Sequence, residues 1–577
     1  MTPNNETDLP ETDPPLPPIR WRGMALVAAY GLSLLLVNLG RPWALTFHEV
    51  NFAEPAREFL SSGDWLVPRI TGRPLWDKPP LMHWSIAASM ALLGTEAEWA
   101  ARMPAALSAV ATALIVAGLA SRWFGGRVGL LAGLAQSSSV YVFMQGRLAE
   151  ADMMLCAAVT LAMASFAVGA VGRDRPPRGW TLLYFGAAGL AFLVKGPIGP
   201  ALVAAGSGLF AIVERRWAPW RLLLDPIGWA LMLALILAWP AAAAFREPGL
   251  LEVWWRHNVE RFSGDLGGGG KDPFFYLYTL LWLALPWTPV ALLGAVSAWK
   301  RPGAGGGSRR RLLACWSAGM VLLLSLSAWK HKHYIIPALP PLSIWAAIGL
   351  ARLVSADDSG GWARLRSRLR PLLPAMGVIG FAAGIHGMRS GGGLLPIVGI
   401  VAGLAGSGLT VAERMRRAGR SGAAAAWIFG TAWAVFVAVH SLAMPRFDDY
   451  RGQADLARRL SSSLPAKADL SVVAIPDPQV LYYLPIPLSR HDDPRSLAER
   501  LSAASGSGEA QRVFVVGPKS MLGSLARLGA VRVIDRAGSV HPRKREPDRM
   551  VAVELTPDPD RLAAVISGRR PEPTLSR

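Results

Sequence analysis

The residues whose types are best suited to chemistry crowd into one polar stretch, His48 to Pro80. It carries His48-Glu49, Glu54, Arg57, Glu58, Gly63-Asp64-Trp65 and then Trp76-Asp77-Lys78-Pro79-Pro80. A carboxylate or a neutral imidazole can take the proton from an attacking hydroxyl. A lysine ammonium can hold a phosphate as a compact point charge, which a guanidinium does not reproduce. Pro79-Pro80 restricts the backbone after Lys78 and would aim that ammonium in one direction. Glu54 and Glu58, four apart with Arg57 between them, have the spacing of ion-pair partners on one helix face.

The same residue types recur at selected places further along. Lysine occupies only nine positions in an arginine-rich chain, and Lys78, Lys195, Lys271, Lys330 and Lys332 all fall in short polar breaks between apolar runs. His48, His83, His257, His331 and His333 fall in the same breaks or beside them. Each could be an interfacial side chain reaching water. Their convergence on one face favours a shared site, because charged groups at membrane depth tend to pair or line a cavity. Asp152, after Arg147-Leu148-Ala149-Glu150, is a second acid for proton transfer or ligand orientation, or else a stabiliser of a helix start. Asp77 and His257 have suitable ligand types for a divalent cation. Trp254-Trp255, Trp282 and Trp287 read as interfacial aromatics.

The elements that must position these groups are membrane helices. Hydrophobic residues make up 52% of the 577 and charged residues 17%, too apolar for a soluble chain with one core. A hydrocarbon layer of roughly 30 Å needs about 20 helical residues per crossing. About thirteen such runs occur, near 23–41, 99–121, 127–145, 152–171, 179–194, 197–213, 222–245, 274–297, 312–328, 334–351, 371–388, 393–411 and 423–444. The fifth and sixth, split at Lys195-Gly196-Pro197, are short enough to be one broken hairpin. Leu81 to Leu93 is too short to cross comfortably and reads as a helix at the interface.

The formal charge of +20 would suggest a nucleic-acid partner in a soluble protein. Here the basic residues sit in clusters between alternate spans: Arg173/Arg175/Arg178, Arg215/Arg216/Arg221, Lys300/Arg301/Arg309/Arg310/Arg311, Arg364/Arg366/Arg368/Arg370 and Arg414/Arg416/Arg417/Arg420. With a cytoplasmic N-terminus they all fall inside, so the basic excess is topological and no nucleic acid is expected. The polar loops 42–98, 246–273 and 328–334 and the region after Pro445 then fall outside. Residues 1–22 read as a disordered cytoplasmic tail and 23–445 as the membrane domain. Residues 446–577 read as a small soluble α/β domain, with strand-like runs at Leu470–Ile475, Val513–Val516, Val531–Ile534 and Met550–Leu555. Ala454–Leu464 and Leu497–Ala504 have helical composition. Only Cys156 and Cys315 occur, both in apolar runs, so no disulfide framework or cysteine-rich metal site is expected. Gly267–Gly270 and Gly303–Gly307 lie between no strand and helix and read as loop tracts rather than phosphate-binding loops.

Several short motifs occur in a fixed order. They are Glu49 with Ala53, Arg57-Glu58-Phe59, Gly63-Asp64-Trp65-Leu66-Val67-Pro68, Asp77-Lys78-Pro79-Pro80-Leu81 with Trp84, and Ala101-Arg102-Met103-Pro104. Further on come Asp152-Met153, Lys195-Gly196-Pro197, Leu285-Pro286-Trp287 and Lys332-His333-Tyr334-Ile335-Ile336-Pro337. The ordered set resembles the polytopic membrane glycosyltransferases of the aminoarabinose-transferase and dolichyl-phosphate-mannose protein mannosyltransferase superfamily, which have the GT-C fold.

The resemblance implies a bacterial inner-membrane protein with about 13 transmembrane helices, a periplasmic active site and a periplasmic C-terminal domain. It implies transfer of a sugar from a polyprenyl-phosphate donor to an envelope acceptor: lipid A, another lipid, a glycan or a protein. The polyprenyl phosphate would be the leaving group, so cations that hold its charge would stabilise the transition state. On this reading Glu49, His48 and Asp152 are the candidate catalytic residues, and Lys78, Lys195, Lys332 and Arg57 contact phosphate. Tyr334, His333 and Trp65 contact substrate, and Asp77 with His257 would hold a divalent cation, with no organic cofactor and a monomeric chain.

The relatives usually open the first loop with Asp-Glu, whereas this chain has His48-Glu49. Either Glu49 acts as the base, or His48 does so with a pKa nearer neutrality, or the chain binds its lipid without turning it over. A protein O-mannosyltransferase and a non-catalytic polyprenyl-lipid binding or transport protein are the competing readings.

Overall fold

The computed structural model describes residues 17–40, 44–75, 78–256, 260, 271–300, 306–355, 366–368, 370–390, 393–448, 452–465, 468–474, 478–484, 488–504, 512–537 and 549–569. Its contacts divide the chain into two compact units. One comprises Met1–Leu39, Trp76–Ser89 and Trp99–Leu442, and the other Gly40–Leu75, Met90–Glu98 and Ala443–Arg577.

The first unit is helical. Every apolar run read from the sequence falls on a helix or a pair of helices. Among the described residues seven helices are long and apolar enough to cross a membrane: Glu98–Phe124, Asp152–Ala170, Trp217–Arg246, Lys332–Leu353, Leu372–Ser390, Leu395–Arg417 and Ser421–Ala443. An eighth results if Phe275–Leu283 and Thr288–Lys300, bent by 104°, count as one span. The chain is a multi-pass membrane protein. The expected thirteen crossings included shorter helices such as Trp21–Leu36 and Ile198–Glu214, and the run 127–145 is divided into Gly126–Ser137 and Val140–Gln145. Leu81–Leu93 is a helix at the expected bounds. Where Thr288–Lys300 crosses Leu339–Leu353 the backbones touch: a Cβ on Gly294 would lie 1.9 Å from the Trp345 carbonyl oxygen, so only glycine fits.

The second unit joins the expected C-terminal domain to pieces of the first polar loop. The strands β1 (Arg69–Ile70) and β2 (Arg73–Pro74) form a small antiparallel hairpin. A mixed sheet follows in the order β4-β3-β5-β7-β6, built from β3 (Asp469–Val473), β4 (Ser489–His491), β5 (Val513–Pro518), β6 (Gly529–Arg536) and β7 (Met550–Pro557). Its side chains alternate between faces, as a strand requires. Val473, Val513, Val515, Val551 and Val553 enter a core with Leu497, Leu501 and Leu562. Leu470, Val472, Val516, Met550 and Ala552 enter a second core with Leu456, Leu460, Val480, Leu481 and Ile70 from the first loop.

Candidate active site

Asp152 opens the helix Asp152–Ala170 and Lys195 closes the helix Arg178–Lys195. An acid in a first helical turn and a base in a last one each oppose the local dipole charge. The buried Asp152 and the largely buried Lys195 meet in an ion pair of 2.6 Å. The Lys195 ammonium also lies over the Tyr334 ring, 4.9 Å from its centroid. Lys78 and His333 act electrostatically on the Asp152 carboxylate as well. Thus Asp152, Lys195, Lys78, His333 and Tyr334, expected from the sequence as site residues, belong to one constellation.

The short 3-10 helix Lys332–Ala338 carries part of it. Trp316 Nε1 donates to the Pro337 carbonyl at 3.0 Å, Ser317 Oγ to that of Ala338 at 2.9 Å, and the His331 amide to the Tyr276 hydroxyl at 3.2 Å. His331 and His333 stack with ring centroids 5.3 Å apart, and His333 meets Tyr334 edge to face at 4.8 Å. The exposed Lys332 places its ammonium 5.3 Å from the Trp282 ring centroid, and Trp282 packs edge to face on Tyr141. Lys330 is buried and donates to the Ser327 carbonyl at 2.7 Å, while Lys271 donates to the Lys330 carbonyl. Trp282 thus contacts both Lys332 and Tyr141. The arrangement presents ammonium groups against aromatic faces, whose ring quadrupole attracts a cation.

Two buried arginines lie outside this group and were not singled out as site residues. Arg147 donates to the carbonyls of Leu34 at 3.1 Å, Leu35 at 2.6 Å and Val37, and lies 2.8 Å from His440 Nε2. Arg102 donates to the Leu39 carbonyl at 2.9 Å. Together they satisfy the carbonyls at the end of Trp21–Leu36 and just beyond it, which a helix end leaves without partners. Arginine inside an apolar run was the available signal, since such a charge requires buried partners.

In the second unit the helix Phe47–Ser62 begins with a capping box. Thr46 Oγ1 accepts from the Glu49 amide at 3.2 Å, and Glu49 Oε2 accepts from the Thr46 amide at 2.8 Å. Thr46-x-x-Glu49 is the capping-box signature, legible in the sequence. Glu49 is fully buried, whereas His48 is exposed and packs edge to face on Phe47. The helix closes at Gly63, in the left-handed conformation at φ 72°.

Arg57, expected as a phosphate contact, is committed to the protein itself. Its guanidinium binds Glu54 Oε1 at 2.8 Å, the Tyr482 carbonyl at 3.0 Å and the Leu481 carbonyl at 3.3 Å, and lies 5.2 Å from the Tyr482 ring centroid. Burial pushes the Glu54 carboxyl up to about 7 against the opposing pull of Arg57. Burial also raises Glu58, which accepts from the amides of Thr71 and Gly72. Glu54 and Arg57 are thus the ion pair read from their spacing, while Glu58 braces the hairpin. The same segment, Pro478–Tyr483, grips the loop elsewhere: Gln479 Nε2 donates to the Leu45 carbonyl at 2.6 Å, and the Leu45 amide to the Tyr483 hydroxyl at 2.7 Å. Trp65 stacks on Phe59 at 5.6 Å and remains 41% exposed.

Asp77 and His257, the expected cation ligands, lie outside the described residues. Among the described residues no group of three or more His, Cys, Asp or Glu is placed to hold a metal ion.

Residues 77–243 match the family described as dolichyl-phosphate-mannose-protein mannosyltransferase. The undecaprenyl phosphate-alpha-4-amino-4-deoxy-L-arabinose arabinosyl transferase of Edwardsiella ictaluri is 30% identical over 59% of this chain and 60% of its own length. An enzyme of that name from Sodalis glossinidius is 33% identical over 56% of this chain and 58% of its own length. The matched stretch spans about 60% of these curated relatives. The crystal structure of ArnT from Cupriavidus metallidurans bound to undecaprenyl phosphate superimposes with a TM-score of 0.72 at 22% identity, over 92% of this chain and 97% of that one. Its apo form gives 0.71. The chain therefore has the fold of the ArnT structures and, through its membrane part, resembles in sequence the membrane glycosyltransferases of the aminoarabinose-transferase type.

Proposed function

We propose that this protein is a membrane glycosyltransferase. It takes a sugar from a polyprenyl-phosphate donor and passes it to an envelope acceptor, lipid A or another lipid or glycan, on the periplasmic face of a bacterial inner membrane. The observation that carries the reading is the Asp152–Lys195 pair at 2.6 Å beside Tyr334 and the Lys332–His333 segment. The names of the relatives and the undecaprenyl phosphate in the ArnT structure support the same donor class.

In the reaction the acceptor oxygen attacks the anomeric carbon, a base takes its proton, and the bond to the phosphate oxygen breaks with its electron pair going to phosphate. Lys78, Lys195 and Lys332 hold that developing charge. Asp152 fixes the Lys195 ammonium, which it holds at 2.6 Å. Glu49 is the base, with His48 as the alternative. A divalent cation on Asp77 and His257 is supported by residue type alone, and unchanged turnover in chelator would remove it from the reading.

The test is mass spectrometry of envelope lipids, glycans and polyprenyl phosphates from a deletion strain complemented with wild type or Lys78→Ala. Loss of one sugar-bearing species, with its carrier-linked sugar accumulating and only wild type restoring it, is expected. Restoration by Lys78→Ala would remove the phosphate clamp. Glycosylated secreted proteins as the missing species would move the reading to protein O-mannosyltransfer, the activity named by the family matched over 77–243. Donor bound without any turnover would leave a lipid-binding protein.

A further inference from the structure

A polar cavity lies apart from the groups described above, where the helices Arg178–Lys195 and Pro226–Arg246 pack together and both begin. Its volume is about 290 Å³, and Arg175, Pro176, Arg178, Thr181, Arg221 and Asp225 line it. We propose that this bowl binds the phosphate headgroup of an acidic phospholipid.

Three guanidinium groups face one carboxylate, so the lining carries a net excess of two positive charges. Asp225 is already engaged: Oδ1 accepts from the Gly228 amide at 2.7 Å and caps the second helix, and Oδ2 accepts from Arg178 at 2.6 Å. Arg221 is anchored on the Asp174 carbonyl at 3.0 Å, with donors to spare in its planar fork. Guanidinium forks are suited to phosphate oxygens, and the two helix N-termini add favourable potential for an anion. The volume is at the small end for a ligand site and suits a headgroup rather than a larger soluble cofactor.

The surroundings point to lipid as the source of that phosphate. Trp180, Leu183, Ile227, Trp229 and Leu231 are all more than a third exposed along the same two helices. Trp229 is held in place by its Nε1 donating to the Leu223 carbonyl at 2.8 Å. Exposed tryptophan above exposed aliphatic side chains is the pattern of a headgroup boundary, where acyl chains would lie against the helices below. Both arginine clusters are expected on the cytoplasmic side, where acidic lipids create a negative surface potential and basic pockets between spans take lipid headgroups. The inference stands independently of the transfer reaction.

The full chain, reconstituted with phosphatidylglycerol and phosphatidylcholine, is extracted and its retained lipid measured by native mass spectrometry. Wild type is expected to retain phosphatidylglycerol preferentially, and Arg175→Gln with Arg221→Gln to lose about tenfold of that preference. No preference in wild type, or an unchanged preference in the variant, would overturn the proposal. Should the glutamine pair not fold, Arg175→Lys with Arg221→Lys decides in its place: a reduced preference supports the site and an unchanged one overturns it. Inorganic phosphate that displaces the lipid completely at millimolar concentration would assign the bowl to soluble phosphate instead.

Discussion

The Asp152 carboxylate and the Lys195 ammonium, 43 residues apart in sequence, meet at 2.6 Å between the start of the helix Asp152–Ala170 and the end of the helix Arg178–Lys195. Removing one partner of a buried pair leaves the other charge uncompensated, at about 3 to 5 kcal/mol. Asp152→Asn and Lys195→Met are each expected to lower thermal stability in detergent and transfer alike. The double variant is expected to be less destabilised than the two singles added together. A strictly additive cycle would show that the pair is not energetically coupled.

Lys332 tests the phosphate role without touching the ion pair. Lys332→Ala removes an exposed ammonium held over Trp282 and should leave the melting temperature near that of wild type. Transfer should fall about 10²-fold, the scale of one lost charge-stabilising donor. Equal turnover by the two proteins in a reconstituted assay would take Lys332 out of the site.

Glu49 caps its helix and is the proposed base, and one substitution separates the two roles. Glutamine serves in a capping box almost as well as glutamate, so Glu49→Gln should fold and melt like wild type. It cannot accept a proton, so transfer should drop at least about 10²-fold if Glu49 is the base. Turnover preserved in Glu49→Gln and abolished in His48→Ala would move the base to the neighbouring residue.

Much of this arrangement was legible in the chain, and the exceptions have physical causes. Each long apolar run became helix because its length and lack of charge leave a bilayer no cheaper way to satisfy the backbone. The run 127–145 breaks beside Ser137-Ser138-Ser139, and 274–297 bends near Leu285-Pro286, local features that hydropathy averages away. Strand β4 was missed because Ser489-Arg490-His491 is short and polar, and takes its strand character only from parallel pairing with β3. Asp152, Lys195, Lys78 and Tyr334 were recognisable by type and motif. Their partners were not, because pairing across 43 residues depends on how the helices pack. Arg57 shows the converse: its spacing from Glu54 foretold an ion pair, while nothing local foretold Leu481 and Tyr482.

Glu54 should make stability depend on pH in a definite direction. Its carboxyl titrates near 7 in the folded protein against an ordinary value of 4.5, raised by burial. Between those values the folded state binds more protons than the unfolded one, so this contribution is fully present below about 4.5 and is lost as pH rises through about 7. Glu54→Gln is expected to flatten the thermal stability profile across that window. An identical slope in wild type and variant would assign the dependence elsewhere.

Arg57→Ala should loosen the first loop from the segment Pro478–Tyr483 by removing three hydrogen bonds and leaving Glu54 buried without its cation. Destabilisation on the order of 3 kcal/mol is expected, seen as faster proteolysis within 444–577. Unchanged cleavage kinetics would show that the contact does not restrain that region.

The grip of Arg57 on the Tyr482 carbonyl, across 425 residues, also sets a schedule for biogenesis. Synthesis at about 5 to 20 residues per second puts roughly 20 to 85 seconds between emergence of the two partners. Through that interval the first loop, with its ion pair and apolar side chains, waits beside the membrane without the surface it will be buried against. A protease or holdase would therefore meet this loop on nascent chains and not on finished ones, and stop codons late in the reading frame would act as lesions of its very beginning.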